Sequence, residues 1–474
     1  MSEPPSEVYF RFASEVEDIF SYGSQHPQNV KFRQSLSRAA KEKGFALMRL
    51  EEVCKLREES IDPTLQPEQP FDYLGLADIE PNTGRVKLYE RMLGRDILSK
   101  SSVFYKGDIV FGRLRPYLNK VHLVEREKAI GSGELNVTIP DESKVKPEFL
   151  VRYLLSDLTL TQTKWILTGN SYPRLSDQDF RNLSIVVPDV HSDVQEDIVR
   201  ETMRIEAQAS ADATKAAALV SEAYGTIPKR LSIQVPRMHD YDYYVVPMDD
   251  FRDRFDFNFN LPDFKVLLKE LERSKDVVKF SDLLDEERGL TNGVEIRRFV
   301  EEGTPYLRVS DVTGDELRLE EVERVSTKLS EVKKDISLEV GDLVLSRSGT
   351  LGVVLLVDET FPVDNLILSS HLIRVVLKKE FVGKPIHPAY VAYFLRSGVG
   401  QMQINQVSLG SSVPEVNHPL LSDMRVILPD GLTQDEIEKE VGAKLKEAAK
   451  FKQNASDKWS ASRERFVTLL LGER

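Results

Sequence analysis

The chain has 474 residues, 41% hydrophobic and 30% charged, which is the composition of a folded globular protein rather than a disordered or fibrous one. Its 64 Lys and Arg against 77 Asp and Glu leave a net charge of −13, which excludes an evenly basic nucleic-acid binder. Its single cysteine, Cys54, excludes an intrachain disulfide and a thiolate zinc cluster, and we expect it to be inert. No secretory leader and no apolar run of the ~18 residues that a membrane helix needs is present, so we expect a cytoplasmic protein with no membrane contact.

Residues 1–45 are a charged, aromatic-rich lead segment, with a helix predicted near 28–41. Residues 46–192 follow as a first α+β unit of short strands and few long helices. Turn residues, β-branched runs and an aromatic stripe predict three strands and one helix in this unit: 109–111, 121–124, 183–187 and 148–156.

Residues 193–235 predict a long connecting helix, with alanine-dense helical sequence over about 193–224. A second lead segment, 236–279, precedes a second α+β unit at 280–432, and a long C-terminal helix is predicted in 433–474. The apolar residues of that last helix recur at steps of three and four: Ile437, Val441, Leu445, Ala448, Phe451, Ala455 and Trp459. Because each long helix has a narrow apolar seam, we expect the two to pack as an antiparallel coiled coil; packing of each on its own domain is the alternative.

The two units are copies of one pattern. Matching motifs occur in the same order, 233 to 241 positions apart: Tyr73-Leu74 and Tyr306-Leu307, Gly107-Asp108 and Gly341-Asp342, Pro147 and Pro388, Gly169 and Gly410. One match could arise by chance, but four in the same order indicate a duplicated unit.

Sequence signatures of catalysis are missing. We find no phosphate-binding P-loop, no Gly-x-Ser-x-Gly elbow, no His-Glu-x-x-His pair and no Asn/Asp-Pro-Pro-aromatic motif. The seven histidines have no ligand spacing, and Asp141 to Lys144, faintly similar to nuclease carboxylate sites, are better interpreted as a loop. The sequence thus predicts no catalytic residue, no metal ligand and no cofactor.

Positive charge is concentrated in residues 81–130, which hold 11 Lys and Arg against five acids. Within them, a short stretch offers arginine forks for guanine or phosphate and an asparagine for adenine: Arg113, Arg115, Tyr117, Asn119 and Lys120. A solvated strand edge is the alternative. The equivalent 301–360 holds seven basic residues against 14 acids, so it has no basic patch.

Polar loops at matched positions of the two units are further candidates for DNA contact, because hydroxyl, amide and backbone groups bind phosphates and bases. The candidates are Asn170, Ser171, Tyr172 and Arg174 in the first unit, and Arg347, Ser348, Thr350, Ser411 and Ser412 in the second. Gly-Ser loops are also common as simple turns, and this alternative stays open.

Two similar α+β units, each followed by a long helix, resemble the DNA-specificity subunit of type I restriction-modification systems. The resemblance covers about residues 46–470. It rests on the duplicated motifs above, on the strands ending at Pro188 and Pro429, and on Gln195-Glu196 and Gln434-Asp435-Glu436 at the starts of the long helices.

The resemblance implies a non-catalytic subunit in which each unit is a target-recognition domain for one half of a split sequence in double-stranded DNA. The helix pair would set the spacing of the halves. It would also dock two methyltransferase subunits, with an endonuclease/translocase subunit joining them. The partners would methylate adenine with S-adenosylmethionine that they bind. The alternative is a protein–protein scaffold of a related defence system that does not itself read DNA.

Overall fold

The computed structural model describes residues 27–167, 173–239, 241, 243–247, 254, 256–313, 316–317, 322–326, 337–361, 366–410 and 414–472. The chain divides into two compact units. Unit 1 comprises Met1–Thr214 with Phe451–Arg474, and unit 2 comprises Lys215–Lys450. Among the described helices, none has the length and apolar character needed to cross a membrane.

The described residues of unit 1 form three sheets built from eleven strands: β1 (Ala46–Arg49), β2 (Cys54–Leu56), β3 (Ser60–Ile61), β4 (Pro70–Leu74), β5 (Glu90–Leu93), β6 (Ser101–Tyr105), β7 (Ile109–Gly112), β8 (Val121–Leu123), β9 (Lys128–Ser132), β10 (Leu135–Pro140) and β11 (Ser184–Val187). β1 pairs antiparallel with β11. The other sheets have the orders β2-β10-β7-β8 and β3-β6-β9-β4-β5. In the second of these, β4 and β9 are parallel.

The helices of the first half of the chain are α1 (Pro27–Lys43), α2 (Leu50–Val53), α3 (Pro147–Leu155), α4 (Asp157–Thr163), α5 (Asp177–Arg181) and α6 (Val194–Arg230). Proline opens α1 and α3, where its missing N–H costs nothing. α3 is apolar on most faces, and its Phe149 and Tyr153 are fully buried in the largest core of unit 1. Cys54 belongs to that core, and burial raises the pKa of its thiol to about 12, as expected for an inert cysteine.

Unit 2 contains shorter strands: β12 (Val277–Lys279), β13 (Leu290–Asn292), β14 (Thr304–Leu307), β15 (Val312–Thr313), β16 (Glu316–Leu317), β17 (Arg324–Val325), β18 (Leu343–Ser346), β19 (Val354–Leu356), β20 (Ile367–Leu368), β21 (Leu372–Val375), β22 (Glu380–Phe381), β23 (Lys384–Pro385) and β24 (Arg425–Ile427). The remaining helices are α7 (Pro262–Glu272), α8 (Phe280–Leu283), α9 (Pro388–Arg396), α10 (Gly398–Val407), α11 (His418–Ser422) and α12 (Gly431–Leu471).

The predicted duplication is visible in strand pairing. The order β13-β21-β18-β19 in unit 2 repeats β2-β10-β7-β8 in unit 1, and β12 pairs with β24 as β1 pairs with β11. The parallel pairs also match, because Tyr73 lies opposite Ile130 in β4–β9 and Tyr306 lies opposite Ile367 in β14–β20. The predicted α+β class is confirmed.

The two units also share a buried glutamine that makes the same hydrogen bonds in each. Gln162 on α4 accepts a hydrogen bond from the Ser184 N–H (2.7 Å) and donates to the Ser184 carbonyl (3.0 Å). Gln403 on α10 makes the same pair of bonds with Arg425, at 2.7 and 2.9 Å. Both side chains are 2% exposed. Each amide thus satisfies strand groups that burial would otherwise leave unpaired.

The two long helices run antiparallel within each unit. In unit 1, Lys458 of α12 pairs with Asp212 of α6 (2.5 Å), and Ser462 donates to Glu206 (3.1 Å). In unit 2, contacts include Lys215 with Glu447 and Arg230 with Glu436. As numbers rise along one helix they fall along the other, which confirms the predicted antiparallel pair.

The predicted apolar seam of α12 is buried at four positions: Ile437, Val441, Ala448 and Ala455. Leu445, Phe451 and Trp459 are only partly buried. α6 also continues to Arg230, past the periodic sequence that ended near residue 224. The five-stranded sheet of unit 1 was not predicted, since its strands pair only through contacts distant in sequence. The six predicted segment boundaries stay a prediction.

Phe466, on the same helix as Trp459, makes the main aromatic contact of α12 in unit 1. Its ring lies 5.3 Å from Phe149 and 6.1 Å from Tyr153, and it is 1% exposed. We expect Phe466→Ala to lower the free energy of unfolding by about 3–5 kcal/mol, through lost burial and the cavity left behind.

Trp459→Ala is the matched control, because the indole is partly exposed and should cost less. Chemical denaturation of the full chain, followed by circular dichroism, measures both. Equal losses of unfolding free energy in the two variants would show that the apolar seam of α12, and not the aromatic cluster around Phe466, accounts for the stability of this packing.

Candidate nucleic-acid interface

The two loops predicted for unit 1 meet in the structure. The Arg115 N–H donates to the Pro173 carbonyl (2.8 Å), and the Leu175 N–H donates to the Arg113 carbonyl (3.0 Å). We call residues 113–120 with 173–175 the unit 1 junction. Its position follows from β7, which ends at Gly112, and from α5, which begins two residues after Leu175.

Unit 2 has the same junction, formed by residues 347–350 with 414–416. The Val416 N–H donates to the Arg347 carbonyl (2.9 Å), and the Gly349 N–H donates to the Pro414 carbonyl (3.2 Å). The matched residues Arg115 and Gly349 both have positive φ, 50° and 80°. Arginine rarely adopts this left-handed backbone, and such strain is found most often at functional sites.

Glu134, in the turn between β9 and β10, organises the charges of the unit 1 junction. Its carboxylate lies 2.9 Å from an Arg174 guanidinium nitrogen and 3.7 Å from Arg113 Nε. A carboxylate oxygen of Asp177 lies 3.3 Å from a terminal nitrogen of Arg113. The Arg174 contact raises the pKa of that guanidinium. Two of the predicted arginines, Arg113 and Arg174, therefore share the carboxylate of Glu134, which sequence motifs did not indicate.

The remaining predicted residues of segment 113–120 differ in accessibility. Tyr117 is 47% exposed. The Lys120 ammonium donates to the Leu76 carbonyl (2.7 Å), and burial lowers its pKa. Asn119 is 1% exposed, and its Nδ2 donates to the carbonyl oxygen of Leu155 (2.7 Å) and the side-chain oxygen of Asn82 (3.0 Å). In this conformation the Asn119 amide holds the loop together and does not face solvent.

In the unit 2 junction, Arg347 pairs with Glu415, as Arg113 does with its carboxylates. Ser348 is 8% exposed, and its Oγ lies 2.5 Å from His371 Nδ1. Thr350 is exposed. The predicted contacts Asn170, Ser171, Tyr172, Ser411 and Ser412 lie outside the described residues.

Sequence reasoning missed the carboxylates of both junctions. Only the strand register could have identified Glu134, since residue 135 lies opposite Gly112 at the end of β7. Outside the junctions, Asp141 accepts hydrogen bonds from the Ser143 N–H (3.2 Å) and hydroxyl (2.6 Å) in an exposed turn. This is the predicted loop.

No protein-family model matches the sequence. Among curated proteins, the chain is similar to the Type I restriction enzyme EcoDI specificity subunit of Escherichia coli. The two are 28% identical over 148 residues, which is 30% of this chain and 31% of that protein. The chain thus matches about a third of the length of this curated relative.

Two solved structures align with most of the chain. The HsdS subunit of Thermoanaerobacter tengcongensis is 17% identical, with coverage of 91% of this chain and 97% of that one and a TM-score of 0.36. The S subunit of the type I restriction-modification system of M. genitalium is 12% identical, with coverage of 91% and 96% and a TM-score of 0.36. Because both TM-scores are below 0.5, these two structures add nothing to the description of the fold, which rests on the strands and helices given above. The match to the curated protein confirms the predicted resemblance of this chain to type I restriction enzyme specificity subunits.

Proposed function

We propose that the chain is the DNA sequence-recognition subunit of a type I restriction-modification complex and has no catalytic activity of its own. The observation that carries this proposal is the repeated junction. Two loops distant in sequence meet at the same place in each unit, with the same backbone hydrogen bonds around Arg113 and Arg347. Two copies of one binding surface suit a target with two separate halves.

The long helices suit the spacing of those halves. α6 has 37 residues and α12 has 41. At a rise of 1.5 Å per residue they are roughly 55 and 60 Å long. The distance between half-sites is set by the distance between the protein modules that read them. An antiparallel helix pair is stiff enough to fix that distance.

The junction arginines have the chemistry to bind DNA. A guanidinium binds guanine or phosphate with two parallel hydrogen bonds. Arg113 and Arg174 are 32% and 45% exposed, and each is held by Glu134. Exposed ion pairs of this kind contribute only about 0–1 kcal/mol. An arginine can therefore leave the Glu134 carboxylate and bind a DNA phosphate instead at a small cost in free energy.

Partners complete the proposed activity. Two methyltransferase subunits would dock on the helices and the flanking surfaces, and an endonuclease/translocase subunit would join them. The partners would bind S-adenosylmethionine and transfer its methyl group to adenine, and this chain would hold no cofactor. Their surfaces would also supply positive charge that unit 2, with 14 acids against seven basic residues in 301–360, lacks.

A methylome experiment tests whether each unit reads one half. The chain, co-expressed with its methyltransferase subunit, should direct adenine methylation to one split motif. A double variant of unit 1, Arg113→Ala with Arg174→Ala, should relax base preference in one half only. Ser348→Ala with Thr350→Ala in unit 2 should affect only the other half. Single-molecule sequencing of host DNA measures both.

Arg95→Ala is the control, because this arginine of unit 1 is 54% exposed and pairs with Glu68 away from the junction. It should leave the motif unchanged. The absence of any split motif would refute the proposal. Loss of specificity in both halves from a change in one unit would refute the assignment of one half to each unit.

A binding measurement isolates the contribution of Arg113. We expect Arg113→Ala to weaken binding of the assembled methyltransferase complex to its target DNA by about 1–3 kcal/mol. If the contact is to a phosphate, the dependence of log affinity on log salt should also become shallower by about 1. Fluorescence anisotropy across a salt series measures both quantities. Unchanged affinity at every salt concentration would show that Arg113 is merely solvated.

Glu134→Gln should have the opposite effect. It removes a negative charge from the surface and weakens the hold on Arg113 and Arg174, so that both guanidinium groups interact more strongly with phosphate. We expect tighter binding to DNA of unrelated sequence, with a steeper salt dependence. Glu68→Gln, which releases Arg95, is the matched control. Weaker binding by Glu134→Gln would show that the carboxylate itself contributes to the DNA-bound state.

The acid-rich second unit favours one other candidate, a protein–protein scaffold that does not read DNA. Filter binding at low salt separates the two functions. Affinity that falls steeply with added salt indicates phosphate contacts. An assembled complex without DNA affinity would establish the scaffold.

A further inference from the structure

Three side chains with metal-binding atoms converge in unit 2, away from the junction. His387 precedes α9, and Asp435 and Glu438 lie in the first turns of α12. His387 Nδ1 lies 3.1 Å from a Glu438 oxygen and 3.4 Å from an Asp435 oxygen. One ligand atom from each residue lies within 4.8 Å of the other two. The sequence conceals this cluster, since the first carboxylate follows the histidine by 48 positions.

The two distances from His387 Nδ1 to the carboxylate oxygens are similar to those between ligand atoms of a tetrahedral zinc ion. Zinc binds imidazole nitrogen and carboxylate oxygen at about 2.0–2.2 Å. Ligand atoms at that distance from a tetrahedral centre are about 3.3–3.6 Å apart. The two distances from His387 Nδ1 lie at or close to this range. One nitrogen and two oxygens would leave a fourth position for water, as in zinc sites with three protein ligands.

The equivalent position in unit 1 has the same backbone hydrogen bond but different side chains. The Lys146 N–H donates to Gln195 Oε1 (2.9 Å) as the His387 N–H donates to Gln434 Oε1 (3.1 Å), so Lys146 and His387 occupy equivalent positions. There, Lys146 forms an ion pair with Glu196.

The residue that corresponds to Glu438, four positions after the helix glutamine, is Val199, which is 9% exposed. Unit 1 thus joins one cation to one carboxylate beside an apolar side chain. Unit 2 replaces the lysine with an imidazole and adds a second carboxylate.

The unit 2 cluster combines one imidazole with two carboxylates. With a neutral imidazole the three groups carry two negative charges, and Glu438 and His387 are each only 25% exposed. Besides the contact with His387, Glu438 accepts a hydrogen bond from the Tyr390 N–H (3.2 Å). A divalent ion would neutralise both carboxylates at once.

We propose that His387, Asp435 and Glu438 bind one Zn²⁺, which fastens the start of α12 to the start of α9 where unit 1 uses a Lys–Glu ion pair. The chemistry selects zinc or a similar transition metal over magnesium or calcium, because hard cations favour sites made only of oxygen. The site is independent of DNA recognition.

The test uses the full chain, stripped of metal and then titrated with ZnSO₄ by calorimetry. We expect one equivalent of Zn²⁺ to bind and the melting temperature to rise. Co²⁺ in its place should show the absorption of a tetrahedral centre. His387→Lys installs the residue that unit 1 has at this position, so the fold should persist through ion pairs while metal affinity falls by at least about tenfold, or about 1.4 kcal/mol.

His191→Lys is the matched control, because His191 is exposed in unit 1 and outside the cluster. It should leave Zn²⁺ affinity unchanged. Asp435→Asn, with circular dichroism as a check on folding, separates loss of a ligand from loss of structure. Absence of stoichiometric binding by the unaltered chain, or equal affinity in His387→Lys, would overturn the proposal and leave the cluster as an ordinary imidazolium–carboxylate contact.

Discussion

Each unit depends on one buried glutamine at the start of a long helix. Gln195 and Gln434 are 0% exposed, and each amide makes three hydrogen bonds to the backbone. In unit 1 these reach Lys144, Lys146 and Pro188, so one side chain joins the long helix, the start of α3 and the end of β11. An unpaired buried amide or backbone group costs about 1–3 kcal/mol, which fixes this arrangement in both copies.

The junctions are built on strands of this constrained framework. Because β11 and α3 are held by the glutamine, and β7 is held in its sheet by β10, the two loops of unit 1 emerge at fixed positions. The loops themselves are polar, and their ion pairs with Glu134 are exposed and weak. A rigid framework with exchangeable surface contacts allows the side chains of these loops to change without loss of the fold.

The sequence predicted the framework better than the site. Strands such as β7 and β11 and the helix α3 were found within one or two residues, since periodicity and turn residues are local signals. The five-stranded sheet was missed because its pairing is long-range. Asn119 was predicted to contact DNA because asparagine can read adenine, and this stays a prediction. In the structure its backbone is left-handed and its amide donates to the Leu155 carbonyl inside the loop. The residue type alone does not show whether a side chain points into its own loop or toward solvent.

The two units differ in the side chains that surround their shared backbone hydrogen bonds. Backbone bonds recur almost without alteration, whereas the side chains around them differ in charge. Arg115 corresponds to Gly349 at a position with positive φ, which arginine tolerates less well. Lys146 corresponds to His387 at the same hydrogen bond to glutamine. The same backbone thus supports an ion pair in one unit and three metal-binding side chains in the other, because the glutamine holds the main chain whatever the neighbouring charges are.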